Sequence, residues 1–270
     1  MITLAELYVY PVKSCRGIAL ERVVLTAAGF EHDREWLVVT PEGRFLTQRE
    51  LPRLALVAPH LEPGSLRLTA PGVPDLTVPL AASGVVREIV IWRDRCQARD
   101  EGDAAARWLQ DFLGSATRLV RFDPVQPRLS DPQWTGDTGA VTRFSDGYAL
   151  LAISRASLDD LNARLPLPLP VDRFRPNIVL EGLAPYGEDE LRDVTIGDGV
   201  RLRAVKPCSR CVITTTNQAT GKVDGEEPLR TLKTYRWNDS LRGVTFGQNV
   251  IVLAGAGAVL ERGAPLVRLT

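Results

Sequence analysis

The sequence predicts a mainly β protein with a few helices, an α+β fold made of two β-barrel-like parts. Short β-rich runs bounded by turn residues recur about every 8–12 residues, a spacing typical of sandwiches and barrels. In the first part the runs are "ITLAELYVY", "ALERVVLT", "EWLVVT", "LALVAPHL", "SLRLTA", "DLTVPL", "VREIVIW" and "TRLVRF". In the second part they are "NIVLEG", "LRDVTIG", "VRLRAV", "CVITTT", "LKTYRW", "TFGQNVIVLAG" and "PLVRLT".

Two segments predict helices. "DAAARWLQDFLG" has Asp103 as its N-cap and Gly114 as its stop, and "SRASLDDLNARL" begins with Ser154 as its N-cap. The segment between the two parts, "DPVQPRLSDPQWTGDTGAVTR", is rich in Pro, Asp, Gly and Thr and predicts a loop or crossover. We therefore expect an N-terminal β-barrel domain over residues 1–122, a linker over 123–142 and a second β-barrel domain over 143–270.

Composition excludes several classes of protein. The chain has 270 residues, 44% of them hydrophobic, which suffices for a large core. Lys+Arg and Asp+Glu balance at 33 each, so bulk charge gives no reason to expect nucleic acid or an anionic membrane as partner. Glu6 interrupts the first apolar stretch, unlike a signal peptide, and no run approaches the roughly 20 apolar residues of a membrane span. With four cysteines and no disulfide framework, we expect a cytoplasmic protein.

The pair of cysteines in "KPCSRCVITTTNQATG", Cys208 and Cys211, allows several chemistries. A structural zinc site needs four ligands, and the other Cys and His residues are scattered single residues. A dithiol redox motif needs a helix start after the reactive cysteine, whereas Val-Ile-Thr-Thr-Thr favours a strand. Lys206 and Arg210 flank the thiols and would stabilise a thiolate, which is a soft metal ligand. A reactive or ligating thiol and a buried structural thiol both remain open on this basis.

Seven stretches, taken in order, resemble the MOSC proteins: "YPVKSCRG", "HDREWLVV", "FLTQRELPRLALV", "FSDGYALLAIS", "FRPNIVL", "PCSRCVITTTNQATG" and "FGQNVIVL". These proteins share the C-terminal domain type of molybdenum cofactor sulfurase. The stretches are also similar to bacterial and mitochondrial amidoxime-reducing molybdenum proteins, in which an N-terminal β-barrel accompanies the MOSC domain. The resemblance covers nearly the whole chain and implies a MOSC domain over residues 143–270.

The resemblance implies a molybdenum cofactor, a molybdopterin whose dithiolene holds the metal and whose coordination one protein cysteine completes. The matching cysteine is Cys211, with Cys208 as a neighbour that is not a ligand. A carboxylate that lies close to the metal in the family corresponds to Asp146, and a cofactor contact corresponds to Ser209. Cys211 and Asp146 are therefore the catalytic residues that the resemblance implies.

Further residues match the family's contacts to the phosphate and pterin. Lys13 and Ser14 in "VKSC" and Arg34 in "HDREW" are implied to bind the cofactor, and the Arg34 guanidinium could clamp a phosphate with two parallel N–H bonds. "FRPNIVL" implies that Arg175 and Asn177 lie near the pterin or the metal. Because a proline follows Arg175, we expect an extended backbone there.

Two of these assignments have a purely structural alternative. Arg34 could form a surface salt bridge with its neighbours Asp33 or Glu35, and Asp146 could be a turn residue before Gly147. The sequence alone does not choose between these readings and the cofactor-binding ones.

The function implied is the molybdenum-dependent reduction of N-hydroxylated compounds such as amidoximes, hydroxylamines or N-hydroxylated bases. Some relatives carry a C-terminal ferredoxin domain, and this sequence has no such cysteine cluster, so we expect electrons from a separate ferredoxin, flavodoxin or flavin reductase type of protein. Ala149 stands where relatives often have proline. We also expect no N-terminal anchoring segment of the kind that the mitochondrial relatives carry. The alternative is a cofactor carrier or sulfur-transfer protein that uses a persulfide on Cys211.

Overall fold

The computed structural model describes residues 1–81 and 84–269. The strands of the first half are β1 (Ile2–Val9), β2 (Ile18–Leu20), β3 (Arg22–Thr26), β4 (Gly29–Phe30), β5 (Trp36–Val39), β6 (Ala58–Glu62), β7 (Ser65–Thr69), β8 (Leu76–Pro79), β9 (Val86–Ile91), β10 (Asp94–Asp100) and β11 (Arg118–Phe122). Those of the second half are β12 (Arg128–Leu129), β13 (Val141–Thr142), β14 (Leu150–Ser154), β15 (Ile178–Glu181), β16 (Asp193–Ile196), β17 (Val200–Ser209), β18 (Thr216–Asn217), β19 (Lys222–Val223), β20 (Trp237–Asn238), β21 (Gly243–Ala254), β22 (Val259–Glu261) and β23 (Pro265–Arg268). The α-helices are α1 (Asp103–Leu113), α2 (Pro132–Thr135), α3 (Arg155–Arg164) and α4 (Leu229–Lys233).

A closed barrel is built from β1 and six strands of the second half. Its strand order is β14, β15, β1, β23, β16, β17 and β21, and β21 pairs back with β14. The pair β14 and β15 is parallel, and the other neighbouring strands of the barrel are antiparallel. Closure removes the unpaired sheet edges that would invite aggregation. The predicted fold class, mainly β with a few helices and a barrel, is confirmed.

The interior of this barrel is filled by aliphatic side chains from its strands, among them Leu4, Leu7, Ile178 and Leu202, all nearly fully buried. β1, the first strand of the chain, pairs with β15 and β23. The barrel therefore contains residues from both ends of the sequence. The division into domains at residues 122 and 143 stays a prediction, and strand pairing runs across it.

The first half contains a four-stranded sheet in the order β5, β11, β10, β9 and a three-stranded sheet in the order β6, β7, β8. Helix α1 packs its apolar face, including Trp108 and Phe112, into a core that also contains Trp36 and Leu66. A spacing of apolar residues on one face is what allows a short helix to be stabilised by such packing. This core holds the loops that carry residues 13–16 and 46–51.

The two predicted helices exist, with one difference. Ser154 caps α3, since its Oγ accepts a hydrogen bond from the Ser157 amide at 3.1 Å, and Gly114 ends α1 in the left-handed conformation that favours glycine. Asp103 is the first residue of α1 and not its N-cap. Gly102 occupies the cap position, and its amide donates to the Asp100 carboxylate at 2.8 Å.

Three other segments differ from the sequence prediction. The linker 123–142 is not a featureless loop, because it contains β12, α2 and β13. "LKTYRW" contains the last two residues of α4 and the first residue of β20 instead of a single strand. "CVITTT", predicted as a strand, forms a 3-10 helix over Val212–Thr215. The hydroxyls of Thr214 and Thr215 donate to the carbonyls of Cys211 and Val212, and such local bonds compete with strand pairing.

Candidate functional site

One cavity, of about 120 Å³, brings together the side chains that the sequence singled out. It lies between loops of the first half and the segments next to strands β14, β15 and β17 of the closed barrel. Its walls include Lys13, Ser14, Arg34, Asp146, Arg175, Asn177, Ser209 and Cys211. These residues come from five separate segments of the chain, so their convergence is a property of the fold. Their individual roles stay predictions.

The two cysteines of the motif have different surroundings. Cys211 lies between β17 and the 3-10 helix, and its Sγ accepts a hydrogen bond from Arg49 Nη2 at 3.1 Å. Cys208 Sγ accepts from Arg210 Nη1 at 3.0 Å. Burial raises the pKa of the Cys208 thiol, although the Arg210 guanidinium opposes this shift. Cys208 is therefore held towards its protonated form, which is the poorer metal ligand.

The remaining cysteines lie away from reactive surroundings. Cys15 is fully buried in the core of the first half, and burial raises the pKa of its thiol to about 12. Cys96 is also buried, with a raised pKa caused mainly by burial. Neither thiol is positioned to ionise at neutral pH. Only the backbone carbonyl of Cys15 takes part in the site, because it accepts a hydrogen bond from Arg175.

An ion pair between a lysine of the first half and a carboxylate of the second half forms one part of the cavity wall. Lys13 Nζ donates to Asp146 Oδ1 at 2.5 Å and to the Phe144 carbonyl at 2.7 Å. The Lys13 side chain is 8% exposed, whereas that of Asp146 is 64% exposed and faces the opening. Trp92 adds an indole N–H that donates to the same carboxylate oxygen at 3.3 Å.

This pair fixes the charge of Asp146. Desolvation by the surrounding cavity wall opposes ionisation even though the side chain is partly exposed, but the Lys13 ammonium and its hydrogen bond outweigh it and lower the pKa of Asp146 below its ordinary value. Burial also lowers the pKa of Lys13, while Asp146 counteracts this. Asp146 is thus a hydrogen-bond acceptor at neutral pH, and a role as proton donor does not fit its surroundings.

We predict that the Asp146 carboxyl stays ionised through the range around pH 3.9 in which an ordinary aspartate titrates. Because its pKa is lower in the folded than in the unfolded state, its stabilising contribution is complete above the unfolded pKa and is lost as pH falls towards the folded pKa. Carbon NMR of the carboxyl groups, assigned with Asp146→Asn, should show no titration midpoint of this signal between about pH 6 and 3, a range that spans the ordinary aspartate pKa. In Lys13→Met the same signal should titrate at a higher pH. An Asp146 signal that titrates near pH 3.9 in both proteins would contradict this.

Arg34 is anchored by several protein acceptors. Its Nη1 donates to Asp33 Oδ2 at 2.6 Å and to Asn177 Oδ1 at 2.8 Å, and its Nη2 donates to the Arg175 carbonyl at 2.9 Å. Its guanidinium also stacks on the buried ring of Tyr10, 4.3 Å from the centroid. The pairing with Asp33 that the sequence allowed is present, but it is buried and not on the surface. These bonds use three of the five guanidinium N–H groups, so two N–H groups remain for a ligand.

Asn177 holds the Arg34 side chain in position through a hydrogen bond. The residue is fully buried, its Oδ1 accepts from both Arg34 and the Leu151 amide, and its Nδ2 donates to the Tyr8 carbonyl at 3.2 Å. All of these partners belong to the protein. Asn177 therefore positions the guanidinium that lines the cavity.

Arg175 contributes a guanidinium group that is only partly used in hydrogen bonds to the protein. Its Nη1 donates to the Cys15 carbonyl at 2.6 Å and its guanidinium packs 4.4 Å from the Tyr10 ring centroid. Its Nη2 is buried and has no hydrogen-bond partner within the described ranges. Burial lowers the pKa of Arg175, the direction expected for a cation short of counter-charge. A buried guanidinium with an unused N–H group is suited to an anionic or carbonyl-bearing ligand.

The backbone at Arg175 corrects the prediction from its following proline. Its φ is +56°, in the left-handed region, and not in the extended region. Two other wall residues share this feature, Ser14 with a φ of +68° and Arg34 with a φ of +44°. Such conformations cost roughly 1–3 kcal/mol each and persist where surrounding contacts fix them, as the guanidinium bonds of Arg34 and Arg175 do here. Strain of this kind is concentrated at functional sites.

The sequence reasoning missed several contributors. Arg49 lies in the stretch "FLTQRELPRLALV" and stacks on Trp92 at 4.8 Å, so both reach the site from the first half. Trp92 is 42% exposed beside the opening. Arg128 belongs to the predicted linker, yet it donates to the carbonyls of Ser145 and Asp146 and so fixes the loop that carries this carboxylate. No local pattern marks these residues, because each acts across a long sequence separation.

Within residues 1–81 and 84–269, no helix combines the length and apolar character needed to cross a lipid bilayer. The same residues contain no group of three or more His, Cys, Asp and Glu side chains arranged to hold a metal ion.

Comparisons with known proteins match both halves of the chain. A family model described as the MOSC N-terminal beta barrel domain matches residues 1–116, and one described as the MOSC domain matches residues 140–266. Mitochondrial amidoxime-reducing component 1 of Mus musculus is 38% identical over 255 residues, which cover 91% of this chain and 75% of the relative. The Homo sapiens protein of the same name is 38% identical and covers 96% of this chain and 79% of its own length. Mitochondrial amidoxime reducing component 2 of Bos taurus is 37% identical and covers 88% and 73%. The chain is therefore a member of the MOSC family, with the MOSC N-terminal β-barrel domain preceding its MOSC domain.

Proposed function

We propose that this protein is a molybdenum-cofactor-dependent oxidoreductase that reduces N-hydroxylated compounds, amidoximes among them, with electrons from a separate protein. The observation that carries the proposal is the convergence of Cys211, with its Arg49 contact, and the Nη2 group of Arg175, which has no hydrogen-bond partner among the described residues, in one cavity. The names of the similar proteins, amidoxime-reducing components, support the substrate class. We also propose that the protein is cytoplasmic.

The residues present fit a molybdopterin in charge and in donor chemistry. A thiolate at Cys211 is the soft ligand that a high-valent metal takes, and Cys208, held towards the thiol, is the poorer candidate. The phosphate and the polar pterin need hydrogen-bond donors. Lys13, Arg34 and Arg175 supply cationic ones, and the buried Nη2 of Arg175 is unused. Ser14 and Ser209, which line the same cavity, add hydroxyl groups.

The bound molybdenum centre would supply two-electron redox chemistry to the substrate. In the net reaction the N–O bond of the N-hydroxylated group breaks, two electrons and two protons are consumed, and the oxygen leaves as water. The protein residues orient the reactants. Arg49 holds the Cys211 sulfur in place, and the ionised Asp146 can accept a hydrogen bond from the N–H groups of an amidoxime. The exposed Trp92 lies against Asp146 and Arg49 at the opening.

The test is production of the full chain in a host that makes the cofactor, with molybdate supplied. Molybdenum is measured by plasma mass spectrometry, pterin by fluorescence after oxidative release, and reduction of benzamidoxime to benzamidine by chromatography, with reduced viologen as electron donor so that no partner protein is needed. We expect near-stoichiometric molybdenum and pterin together with benzamidine formation. Protein without molybdenum that instead releases thiocyanate on treatment with cyanide would favour the persulfide carrier.

The requirement for a separate electron donor has its own test. The metal-loaded protein with NADH or NADPH alone should form no benzamidine, and addition of a flavin reductase with a ferredoxin or flavodoxin should start the reaction. Turnover with the pyridine nucleotide alone would contradict the proposed partner.

A further inference from the structure

An exposed tryptophan stands at the opening of the cavity, in a backbone conformation that does not favour it. Trp92 lies in the hairpin between β9 and β10, where Ile91 pairs with Asp94 and the two residues between them form the turn. Trp92 is the first of these two and has a φ of +56°, at a position that glycine ordinarily fills. Because a bulky residue is an outlier in this conformation, the turn itself gives no reason for a tryptophan.

Three neighbours hold the indole ring of Trp92 in place. Phe45 packs against it, with ring centroids 4.9 Å apart and an interplanar angle of 55°. The Arg49 guanidinium lies 4.8 Å from the ring centroid, and the indole N–H donates to Asp146 Oδ1 at 3.3 Å. Even with these contacts, 42% of the residue stays exposed. The indole is therefore a fixed aromatic surface that is only partly covered by the protein.

The same contacts connect this surface to the two side chains assigned to catalysis. Arg49, which stacks on Trp92, also donates to Cys211 Sγ at 3.1 Å. Asp146 Oδ1 accepts from both Lys13 and Trp92, which leaves Oδ2 without a hydrogen bond from the described residues. A substrate whose N–H group donates to Oδ2 therefore lies beside the indole.

An aromatic surface in this place is suited to an aromatic substrate. Contacts between two aromatic rings are more stabilising than the buried area alone predicts, and stacking on an exposed aromatic side chain tolerates many different rings. In an aryl amidoxime the ring is bonded directly to the carbon that carries the two nitrogen groups. If Asp146 holds those groups, the ring is next to Trp92. In acetamidoxime a methyl group takes this place and offers little surface.

We propose that Trp92 is a specificity-determining residue that favours substrates whose N-hydroxylated group is attached to an aromatic ring. The proposal rests on the function proposed above and names the substrate class of that same site. The indole packs against the ring of the substrate while the Asp146 carboxylate accepts from its N–H groups. Because Trp92 binds the part of the substrate that does not react, its contribution acts on KM more than on kcat.

Binding is tested by NMR on the full-length, metal-loaded protein without a reductant, so that no turnover occurs. The chain has five tryptophans, whose indole N–H signals report separately, and Trp92→Phe identifies the signal of Trp92. Benzamidoxime should shift this signal saturably at concentrations at which acetamidoxime leaves it in place. Trp237 is the reference, since it is 49% exposed and donates its indole N–H to Asp239 at 3.0 Å, and its signal should not move. A Trp92 signal that does not move, or that moves equally with both compounds, would overturn the proposal.

Kinetics with reduced viologen measure the preference itself. In Trp92→Ala the ratio of kcat/KM for benzamidoxime to that for acetamidoxime should fall about 10-fold, chiefly through the KM for benzamidoxime. Trp92→Phe keeps an aromatic ring without the N–H and should hold the ratio within about threefold of the wild type. Trp237→Ala should leave the ratio unchanged. An unchanged ratio in Trp92→Ala contradicts the proposal, and so does an equal fall in Trp92→Phe, because the hydrogen bond would then set the preference.

The two proposals fail in different ways. A protein that reduces both amidoximes with a ratio insensitive to residue 92 refutes the role of Trp92 alone. A protein that holds no molybdenum, or that reduces neither compound, refutes the proposed function. The titration of the Trp92 signal needs no turnover, so on that protein it still decides whether this surface prefers an aryl amidoxime.

Discussion

Replacing Cys211 with serine should remove most of the molybdenum from the purified protein and abolish benzamidoxime reduction. The hydroxyl of serine does not ionise near neutral pH and is a hard donor, so it cannot replace a soft thiolate on the metal. The substitution is nearly isosteric at a half-buried position at the start of a short 3-10 helix, so the fold should survive. Metal content, activity and the thermal midpoint of each preparation are measured together.

Cys208→Ser is the matched control, since Cys208 lines the same cavity and has its own arginine contact. We expect this variant to keep its molybdenum and at least a substantial part of its activity. If Cys208→Ser lost the metal while Cys211→Ser retained it, the ligand assignment would be reversed. Loss in both variants, with both folded, would point to a shared sulfur chemistry such as persulfide transfer.

Arg34→Met should lower the free energy of unfolding by about 3–5 kcal/mol, the usual cost of removing one partner of a buried ion pair. The side chains of Arg34 and Asp33 are only 12% and 1% exposed, so the substitution leaves the Asp33 carboxylate buried without its cation. It also removes the donors to Asn177 and to the Arg175 carbonyl, which hold the strained loop of the site. Urea unfolding followed by circular dichroism measures the change.

The control is Arg44→Met, which removes a surface arginine whose guanidinium lies 3.9 Å from Glu50 and whose side chain is 59% exposed. Pairs of this kind contribute about 0–1 kcal/mol, so the unfolding free energy should hardly change. Equal and small effects in the two variants would show that Arg34 is not a structural anchor of the site. Its bonds to the protein would then be free to yield to a ligand.

The sequence singled out these wall residues because they occur in short motifs with unusual composition. Lys13, Ser14, Arg34, Asp146 and Arg175 all line the same cavity, and their roles in it stay predictions. The sequence does not predict which hydrogen bonds these residues form with one another. Arg34 donates to Asn177 and to the Arg175 carbonyl, which lie more than a hundred residues further along the chain.

Errors in the sequence prediction have local physical causes. β-branched residues favour strands on average, but the threonine hydroxyls after Cys211 bond to the preceding turn and stabilise a 3-10 helix instead. The expectation of an extended Arg175 used only its proline neighbour, whereas the buried guanidinium contacts decide its backbone. Arg49 was missed because nothing in the nearby sequence predicts that it will meet Cys211 and Trp92.

The central claim, that Cys211 completes the coordination of a cavity-bound molybdenum centre, is tested most directly by X-ray absorption at the molybdenum edge. The wild-type protein should show a sulfur coordination number one higher than metal-bound Cys211→Ser, whereas Cys208→Ser should match the wild type. For a variant that retains little metal, spectra are collected on protein loaded with cofactor in vitro. An unchanged sulfur shell in Cys211→Ser would contradict the account, because the thiolate would then not be a ligand.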